Sequence, residues 1–491
     1  HVERTFSEFM LSAYGQQDGA PTNQDFQDQG APGITHAAKC QDCHMRDVVG
    51  PGADLRNAVV RPNESVEHPQ SGQPLHDLTG GNAWVSAVLA SAVPGSPNYD
   101  AVNDQLLHQG PAVLTLDLGQ GEGIDPVALL AGVDRCKQQL LLAATIKNPS
   151  YDAATGALSF QVQNNTAHKL ISGFAEGRRM FVNVKAAYPN GTTYQVNPYD
   201  PAAGTLKGLR YPYQPDPNEV LQPPESLDAN EVHLDELVYE MKPSSSLTDE
   251  DKTFHFALAD GRYKDNRIPP KGFDIDGAAA RLSVPVWHGV EDENYFTVDE
   301  YVAGYDEVLL TIPAGADTVE VNLYYQTTSR EYIEFLRDEI NGTGNLTLSS
   351  DPTTPSGEAE AYVVQTDPFF SQLKAWGDTI WNLWTHNMNI DGAAPFLMAS
   401  AAVGAPPTGC TAPAPELLST TPGRSEVVLH WSDVSTAGSS VLGYKVYFDQ
   451  NGKAQPVYDT VNDPDSLATT FTDTGLTNGQ EYCYKVTSYD D

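Results

Sequence analysis

The feature that most constrains this chain is a pair of cysteines followed directly by a histidine: Cys40, Cys43 and His44, within Lys39–Met45. Two thiols at this spacing can each bond one vinyl group of the same porphyrin, while the adjoining histidine turns a ring nitrogen toward the iron. The surrounding fold must then enclose a large, flat, apolar group. The sequence therefore predicts a covalently attached c-type haem, with His44 as the first axial ligand of its iron.

Two other interpretations of this pattern, a redox-active Cys-x-x-Cys and half of a zinc site, have less support. A zinc site needs a second pair of cysteine or histidine ligands at similar spacing, whereas Cys136, Cys410 and Cys483 occur singly. A thioredoxin-like motif would lie beside a βαβ pattern, which this region lacks. Haem attachment is therefore the favoured interpretation.

The charge balance narrows the possible partners. With 65 acidic and 28 basic residues, the 491-residue chain has a formal charge of -37, which disfavours nucleic acid and anionic membranes. No apolar run is long enough to span a membrane. Because c-type haem is attached outside the cytoplasm, we expect a secreted or cell-surface protein. The chain starts at His1 without a signal peptide, which predicts that a leader or a longer N-terminal region precedes it.

The pattern of apolar residues predicts an α+β, mainly β fold in three parts. Residues 1–140 have the loops and short helices of a small helical haem-binding segment. Residues 141–406 alternate apolar and polar side chains between turns, which predicts a central antiparallel β-sandwich with insertions and peripheral helices. Residues 407–491 resemble a fibronectin type III sandwich, with a tyrosine corner in Leu476–Val486.

That last domain stops before a final strand, which predicts truncation of the C-terminus as well. Pairing between Cys410 and Cys483 stays open, because spacing alone does not establish contact.

Helical periodicity marks several further stretches. Arg4–Leu11 predicts a short helix with Phe6, Phe9 and Met10 on one face. Longer helices are predicted at about residues 84–92, 125–144, 329–339 and 368–385. For the aromatic residues of the last helix, core packing is favoured over an electron-hopping chain; they are Phe369, Trp376, Trp381 and Trp384.

Four stretches beyond the cysteine motif are distinctive. They are His76–Asn82, Ala167–Arg179, Phe254–Phe273 and Leu323–Asp338. Together they resemble the large secreted multihaem c-type cytochromes of metal- and sulfur-reducing bacteria, in which a haem region is followed by a shared β domain. The resemblance implies extracellular electron transfer to an extracellular electron acceptor. It also implies assembly with other cytochrome subunits or copies of itself, or packing into a filament.

The chain departs from this family in carrying a single Cys-x-x-Cys-His motif. Either further haems lie on an N-terminal portion outside this chain, or the protein is a single-haem relay. The abrupt start at His1 favours the first alternative.

The second axial ligand has several candidates on the sequence alone: His168, His76, His36, His1 and Met45. The family resemblance favours His168 and then His76, since each lies near glycines that let backbone approach a flat cofactor. The histidine that does not bind this iron would serve a neighbouring haem. Met45 follows His44 directly, so the geometry that places His44 on the iron points Met45 elsewhere.

Two further interpretations concern charged residues. Arg178 and Arg179 match the geometry of haem propionates, with an internal ion pair to Glu176 as the equal alternative. Asp274–Gly277 and Glu291–Asn294 offer hard oxygen ligands for calcium, although solvated loops are the commoner explanation.

The sequence thus predicts an electron-transfer protein more than an enzyme, since no nucleophile-base-acid set can be singled out. One alternative is a haem oxidoreductase with an open distal site that reduces a small oxyanion or metal species. Another is a structural or adhesive surface protein.

Overall fold

The fold is α+β with more strand than helix, 32% against 29%, as the sequence predicts. The computed structural model describes residues 4–28, 34–45, 47–48, 73–74, 78–108, 125–209, 226–341, 375–404, 417–422, 426–434, 443–449, 469–474 and 483–489. The chain forms two compact units, His1–Val403 and Gly404–Asp491. The first unit contains both the cysteine motif and the central β-sandwich.

The helices of the described residues belong to the first unit. They are α1 (Thr5–Leu11), α2 (Gln24–Asp28), α3 (Gln41–His44), α4 (Ala83–Ser91), α5 (Ala101–Leu107), α6 (Pro126–Ala143), α7 (Val298–Ala303), α8 (Arg330–Asn341) and α9 (Ala375–His386). Short 3-10 turns lie at Ala13–Gly15, Ala175–Gly177, Asp235–Leu237, Phe256–Leu258 and Ala279–Arg281.

The strands of the first unit begin with short pairs and continue into longer sheets. They are β1 (Ala20–Pro21), β2 (His36–Ala37), β3 (Asp47–Val48), β4 (Gln73–Pro74), β5 (Ala144–Asp152), β6 (Ala157–Asn164), β7 (Arg179–Ala187), β8 (Thr193–Val196), β9 (Tyr199–Asp200), β10 (Thr205–Leu206), β11 (Glu231–Val232), β12 (Val238–Tyr239), β13 (Met241–Ser244), β14 (Gly261–Asp265), β15 (Val286–Trp287), β16 (Val290–Glu291), β17 (Tyr305–Thr311), β18 (Thr318–Gln326) and β19 (Phe396–Gly404).

Two of these sheets face each other and form the predicted sandwich. One has the order β17-β6-β5, and the other has the order β11-β8-β7-β18-β19 with β12 also on β7. Alternate residues of β6, namely Leu158, Phe160 and Val162, point into the same core as Val182 and Val321 of the facing sheet. Period-two alternation produces this burial, because successive strand side chains point to opposite faces.

The predicted peripheral helices pack beside this sandwich. Trp84 of α4, Ile333 of α8 and Trp384 of α9 share one apolar cluster. The ring of Trp384 is fully buried, and its Nε1 donates to the Thr328 carbonyl at 3.0 Å. The core role predicted for Trp384 is confirmed, whereas Phe369 lies outside the described residues.

The predicted N-terminal helix forms, but its buried face is not the one expected. Phe9 is buried as predicted, whereas Phe6 is 68% exposed and Glu8 is fully buried. The physical reason is that Glu8 has buried cationic partners, Arg267 and Lys169, in distant parts of the chain. The helix therefore turns the side with Glu8 inward and leaves Phe6 in solvent.

The second unit contains β20 (Leu417–Pro422), β21 (Glu426–Trp431), β22 (Gly443–Asp449), β23 (Thr470–Thr474) and β24 (Cys483–Tyr489). Its strands form a three-stranded sheet, β20-β21-β23, and a two-stranded sheet, β22-β24. Leu429, Trp431, Tyr444 and Val446 form its core. Cys483 lies on β24, and Cys410 is outside the described residues.

No helix among the described residues is both long and apolar enough to cross a membrane.

Candidate haem-binding site

The cysteine motif lies on one helical turn that local contacts hold in place. Cys40 caps the N-terminus of α3, and Cys43 and His44 follow on the helix. The Oδ2 atom of Asp42 accepts hydrogen bonds from the backbone N–H groups of Ala38 at 2.9 Å and Lys39 at 3.1 Å. Positions three and four apart share one helix face, so this turn directs both thiols and the imidazole to the same side.

His44 is fixed by a second segment, Leu78–Gly80. Its Nδ1 lies 2.6 Å from the Thr79 carbonyl oxygen, while the Thr79 N–H donates to the His44 carbonyl at 3.2 Å. An Nδ1–H that donates to a carbonyl leaves the ring lone pair on Nε2. His44 therefore presents the tautomer that binds a metal through Nε2.

His168 lies in the loop that leaves β6, and Asn164 at the end of that strand organises the loop. Asn164 Nδ2 donates to the carbonyls of His168 at 2.8 Å and Ile268 at 3.0 Å, and its Oδ1 accepts from the Thr166 N–H at 2.7 Å. The Nδ1 atom of His168 lies 2.9 Å from the Lys169 carbonyl. His168 thus has the same kind of backbone partner for Nδ1 as His44.

The structure brings His44 and His168 together. Their ring centroids are 6.3 Å apart and their planes differ by 16°. Two imidazoles that bind one metal ion through bonds of about 2.0 Å have centroids roughly 6 Å apart, once the distance from each nitrogen to its ring centre is added. The spacing of the two rings therefore fits two axial ligands of one iron.

The walls around the motif are apolar and contain one buried hydroxyl. Cys43 and Ala167 pack against Phe9 and Tyr14, and Cys43 also packs against Phe26 and Leu142. Such walls suit a flat apolar cofactor.

The hydroxyl of Tyr14 is buried and has no hydrogen-bond partner among the described residues. Burial, with a smaller contribution from Cys43, raises the pKa of Tyr14 to about 12. Because a buried hydroxyl without a partner costs about 1–3 kcal/mol, this group fits a site completed by a polar atom of a bound cofactor.

The two arginines predicted for propionate binding lie in different surroundings. Arg178 is half-buried, and its Nη1 donates to the Tyr325 hydroxyl at 3.1 Å. Gly81, two residues after the partner of His44, packs so closely on Tyr325 that a Cβ would lie 2.9 Å from its ring. Arg178 is therefore linked through Tyr325 and Gly81 to the Leu78–Gly80 segment, at the His44 end of the site.

Arg179 is buried and forms an ion pair with Glu331, and its Nε donates to Gln326 at 2.8 Å. Arg179 thus belongs to an internal ion pair, and its partner is Glu331.

The other candidate axial ligands are not brought to His44 by the described contacts. His36 is exposed on β2, in register with Pro21. Met45 is half-buried at the end of α3. His76 and His1 lie outside the described residues.

Sequence reasoning missed a cluster of four buried charged side chains beside the His168 loop: Glu8, Lys169, Asp265 and Arg267. Lys169 Nζ lies 3.0 Å from Asp265 Oδ2. Arg267 lies 2.7 Å from Glu8 through Nη2 and 2.8 Å from Asp265 through Nε. Glu8, Lys169 and the Asp265/Arg267 pair come from three distant parts of the chain, so the sequence pattern gave no signal of this cluster.

Burial and pairing compete within this four-charge cluster. Burial raises the pKa of Glu8 against the charges of Arg267 and Lys169, and burial lowers the pKa of Lys169 against the charge of Asp265. Burial also opposes ionisation of Asp265, but the charges of Arg267 and Lys169 outweigh it and hold the pKa of Asp265 well below its usual range.

The calcium interpretation gains no support. Asp274 Oδ1 accepts from the Gly277 N–H at 3.2 Å, and Asp292 Oδ1 accepts from the Asn294 N–H at 2.9 Å, as in solvated turns. In the part of the chain that the structure describes, no three His, Cys, Asp or Glu side chains converge in a way that could hold a metal ion.

Comparisons with known proteins do not identify a family for this chain. No protein-family model and no curated protein matches this sequence. Among solved structures, the chain is similar to a penta-heme cytochrome c552 from Thermochromatium tepidum, at 12% identity, with 70% of this chain and 94% of that chain covered. The TM-score is 0.25, which is too low for the likeness to indicate a shared fold.

Proposed function

We propose that this chain is a c-type cytochrome that carries electrons through a covalently bound haem. Cys40 and Cys43 would hold the haem through thioether bonds, and His44 and His168 would hold its iron. When bound, the haem supplies an iron that alternates between the ferric and ferrous states. Two strong protein ligands keep substrates off the metal, which favours electron transfer over ligand chemistry.

The observation that carries this proposal is the pairing of the two imidazoles. Their 6.3 Å centroid separation is compatible with both rings holding one iron, and each Nδ1 lies beside a backbone carbonyl oxygen. Such second partners orient a ligating histidine and define its tautomer. Sequence spacing alone does not predict this pairing, because residues 44 and 168 are far apart in the chain.

The remaining residues of the site have distinct proposed tasks. Arg178 is assigned to a propionate, because it is half-buried at the His44 end and carries a guanidinium fork suited to a carboxylate. Tyr14 offers a buried donor on the Cys43 side. Arg179 is not included, because Glu331 and Gln326 already engage its buried guanidinium.

The wider setting follows from the sequence and extends the proposal. We assign the protein to the outside of the cytoplasm, where c-type haem is attached. Further haems would lie on neighbouring parts of a longer chain or on other subunits. The second unit is assigned a fibronectin type III-like fold. Its support is the division into β20-β21-β23 and β22-β24, which corresponds to strands A, B and E against C and F of such a sandwich.

The test is visible spectroscopy of the protein produced in a host that attaches c-type haem. Pyridine haemochrome analysis after denaturation measures covalent haem, and reduced-minus-oxidised spectra with and without carbon monoxide measure axial ligation. We expect one covalent haem per chain of these 491 residues and a low-spin spectrum that carbon monoxide changes only slowly.

Replacing His168 with alanine then tests the second ligand. We expect H168A to retain covalent haem but to become high-spin and to bind carbon monoxide rapidly. A chain without covalent haem would overturn the cytochrome assignment. A high-spin wild type that binds carbon monoxide would favour the haem oxidoreductase with an open distal site, and a low-spin H168A would assign the second ligand to another residue.

A further inference from the structure

We propose that the four-charge cluster of Glu8, Lys169, Asp265 and Arg267 is a positioning device that keeps His168 at ligand distance from His44. The inference rests on the proposed function, since it gives a role to residues behind the proposed second ligand. None of the four side chains belongs to the Cys-x-x-Cys-His motif.

The contacts of the cluster converge on the backbone just after His168. Glu8 Oε2 accepts from the Lys169 N–H at 3.2 Å and from the Ser172 hydroxyl at 3.3 Å. Arg267 Nη1 donates to the Ile171 carbonyl at 2.9 Å. The residues following His168 are thus bonded at several points to side chains from α1 and from the segment after β14.

The backbone of the same loop is also tied to the chain beyond Asp265. The Leu170 N–H donates to the Ile268 carbonyl at 3.0 Å, and the Ile268 N–H donates back to Leu170 at 3.2 Å. The charges and this bridge together leave the loop little freedom to withdraw the His168 ring.

Burial makes this arrangement costly for a purely structural purpose. All four side chains are at most 3% exposed, and well-packed apolar residues often stabilise a fold as well as a buried ion pair does or better. Directional charge-assisted bonds, in contrast, define one arrangement of the groups they join. A loop that presents a metal ligand benefits from such a single arrangement.

The test uses the haem-loaded chain and the rate of carbon monoxide binding at saturating gas, which is limited by how often His168 leaves the iron. Glu8→Gln keeps the shape of the side chain but removes the charge that faces Arg267 and Lys169. We expect the limiting rate to rise about tenfold or more, equivalent to about 1.4 kcal/mol in the barrier to His168 leaving the iron.

A matched control comes from Glu240, a buried carboxylate at 4% exposure that pairs with Lys242 and Lys264. Glu240→Gln removes a comparable buried charge elsewhere, so we expect lower stability with an unchanged carbon monoxide rate. If Glu8→Gln does not fold, the charge-balanced variant Glu8→Met/Arg267→Met removes one anion and one cation and leaves Lys169 paired with Asp265.

The carbon monoxide rates distinguish failure of the positioning role from failure of His168 as the second ligand. Equal rates in wild type, in the Glu8 variants and in Glu240→Gln would overturn the positioning role, provided that H168A binds carbon monoxide rapidly. If H168A itself remains low-spin, the proposed second ligand fails and the positioning role fails with it. A faster rate in the Glu8 variants alone supports the proposal.

Discussion

The two histidines of the site are held in opposite ways. His44 lies on a helix of four residues, and Asp42 stabilises the turn through backbone groups three and four positions away. His168 lies in a loop whose contacts come from distant residues, since Asn164 reaches a carbonyl 104 positions along the chain and Glu8 acts across 161 positions. The turn that carries His44 is stabilised locally, with Thr79 as an added partner of the ring, whereas the His168 loop depends on contacts from distant residues.

Because of this difference, we expect substitutions near His44 and substitutions near His168 to have different effects on haem ligation. Weakening the local turn affects the His44 side within a few residues, and the thioether bonds would still hold that side in place. Weakening the long-range contacts releases a loop that has no covalent bond to the cofactor. We therefore expect the ligation state of the proposed haem to depend on the His168 side.

The largest expected effect comes from changing the cysteines on the same short helix as His44. Replacing both Cys40 and Cys43 with serine removes both thioether bonds, so we expect no covalent haem after denaturation, as measured by pyridine haemochrome. Cys136→Ser is the control, because Cys136 lies on α6 with its Sγ 3.7 Å from the Asn82 carbonyl. Covalent haem in the double variant would contradict the assignment of the motif.

The next prediction tests the long-range arm through Asn164, which is fully buried. Asn164→Ala leaves the carbonyls of His168 and Ile268 without this donor, and we expect a loss of about 2–3 kcal/mol in the free energy of unfolding. Urea unfolding measures this loss. The carbon monoxide rate of the haem-loaded variant should rise as well.

Asn197 provides the matched control for Asn164. It is equally buried, and its Nδ2 donates to the carbonyls of Val182 and Leu234 at 3.2 Å each. We expect Asn197→Ala to lose similar stability without any change in ligation. If both variants change the carbon monoxide rate equally, the His168 loop has no special dependence on Asn164.

His255 offers a contrast with His44 and His168, because its charge makes the stability of the fold depend on pH. His255 is bonded by carboxylates, with Nδ1 2.9 Å from Glu250 and Nε2 3.3 Å from Glu339. Burial lowers the pKa of His255, but the hydrogen bonds to Glu250 and Glu339 outweigh burial and raise the pKa to about 9. Carboxylate partners thus favour a charged ring, whereas the carbonyl partners of His44 and His168 orient the ring through Nδ1 and leave Nε2 for another partner.

The sign of the pH effect follows from this raised pKa. The stabilisation by His255 is complete below its unfolded value of 6.5 and is lost as the pH rises through about 9. The difference in free energy of unfolding between wild type and His255→Gln should therefore shrink by about 1–2 kcal/mol over this range, after allowance for solvent screening. Urea unfolding across the range measures it, and a constant difference would contradict the charged pair.

The smallest expected effect concerns the local turn again. Asp42→Ala removes the acceptor for the Ala38 and Lys39 N–H groups, and loss of a capping interaction costs about 1 kcal/mol. We expect a slightly lower free energy of unfolding and an unchanged low-spin spectrum, because the thioethers and Thr79 still hold His44. A high-spin spectrum in this variant would mean that both ligands depend on the tertiary contacts alike.

Much of the fold was predictable because its signals are periodic. The sandwich strands β6, β7 and β18 and the helices α4, α6 and α8 appear where alternation or helical spacing predicts them. The prediction for α1 placed Phe6 on the buried face, where the structure places Glu8. Period alone does not identify a buried charge, because its partners lie in other parts of the chain.

By itself, the sequence determined the cysteine motif, because its three chemical groups lie within five consecutive residues. It also determined the mainly β character of the chain. Only the tertiary structure decided that His168 lies beside His44, that Arg179 belongs to an internal ion pair, and that four buried charges support the His168 loop. The physical reason is that these contacts join residues distant in sequence, whose proximity depends on how the whole sandwich packs.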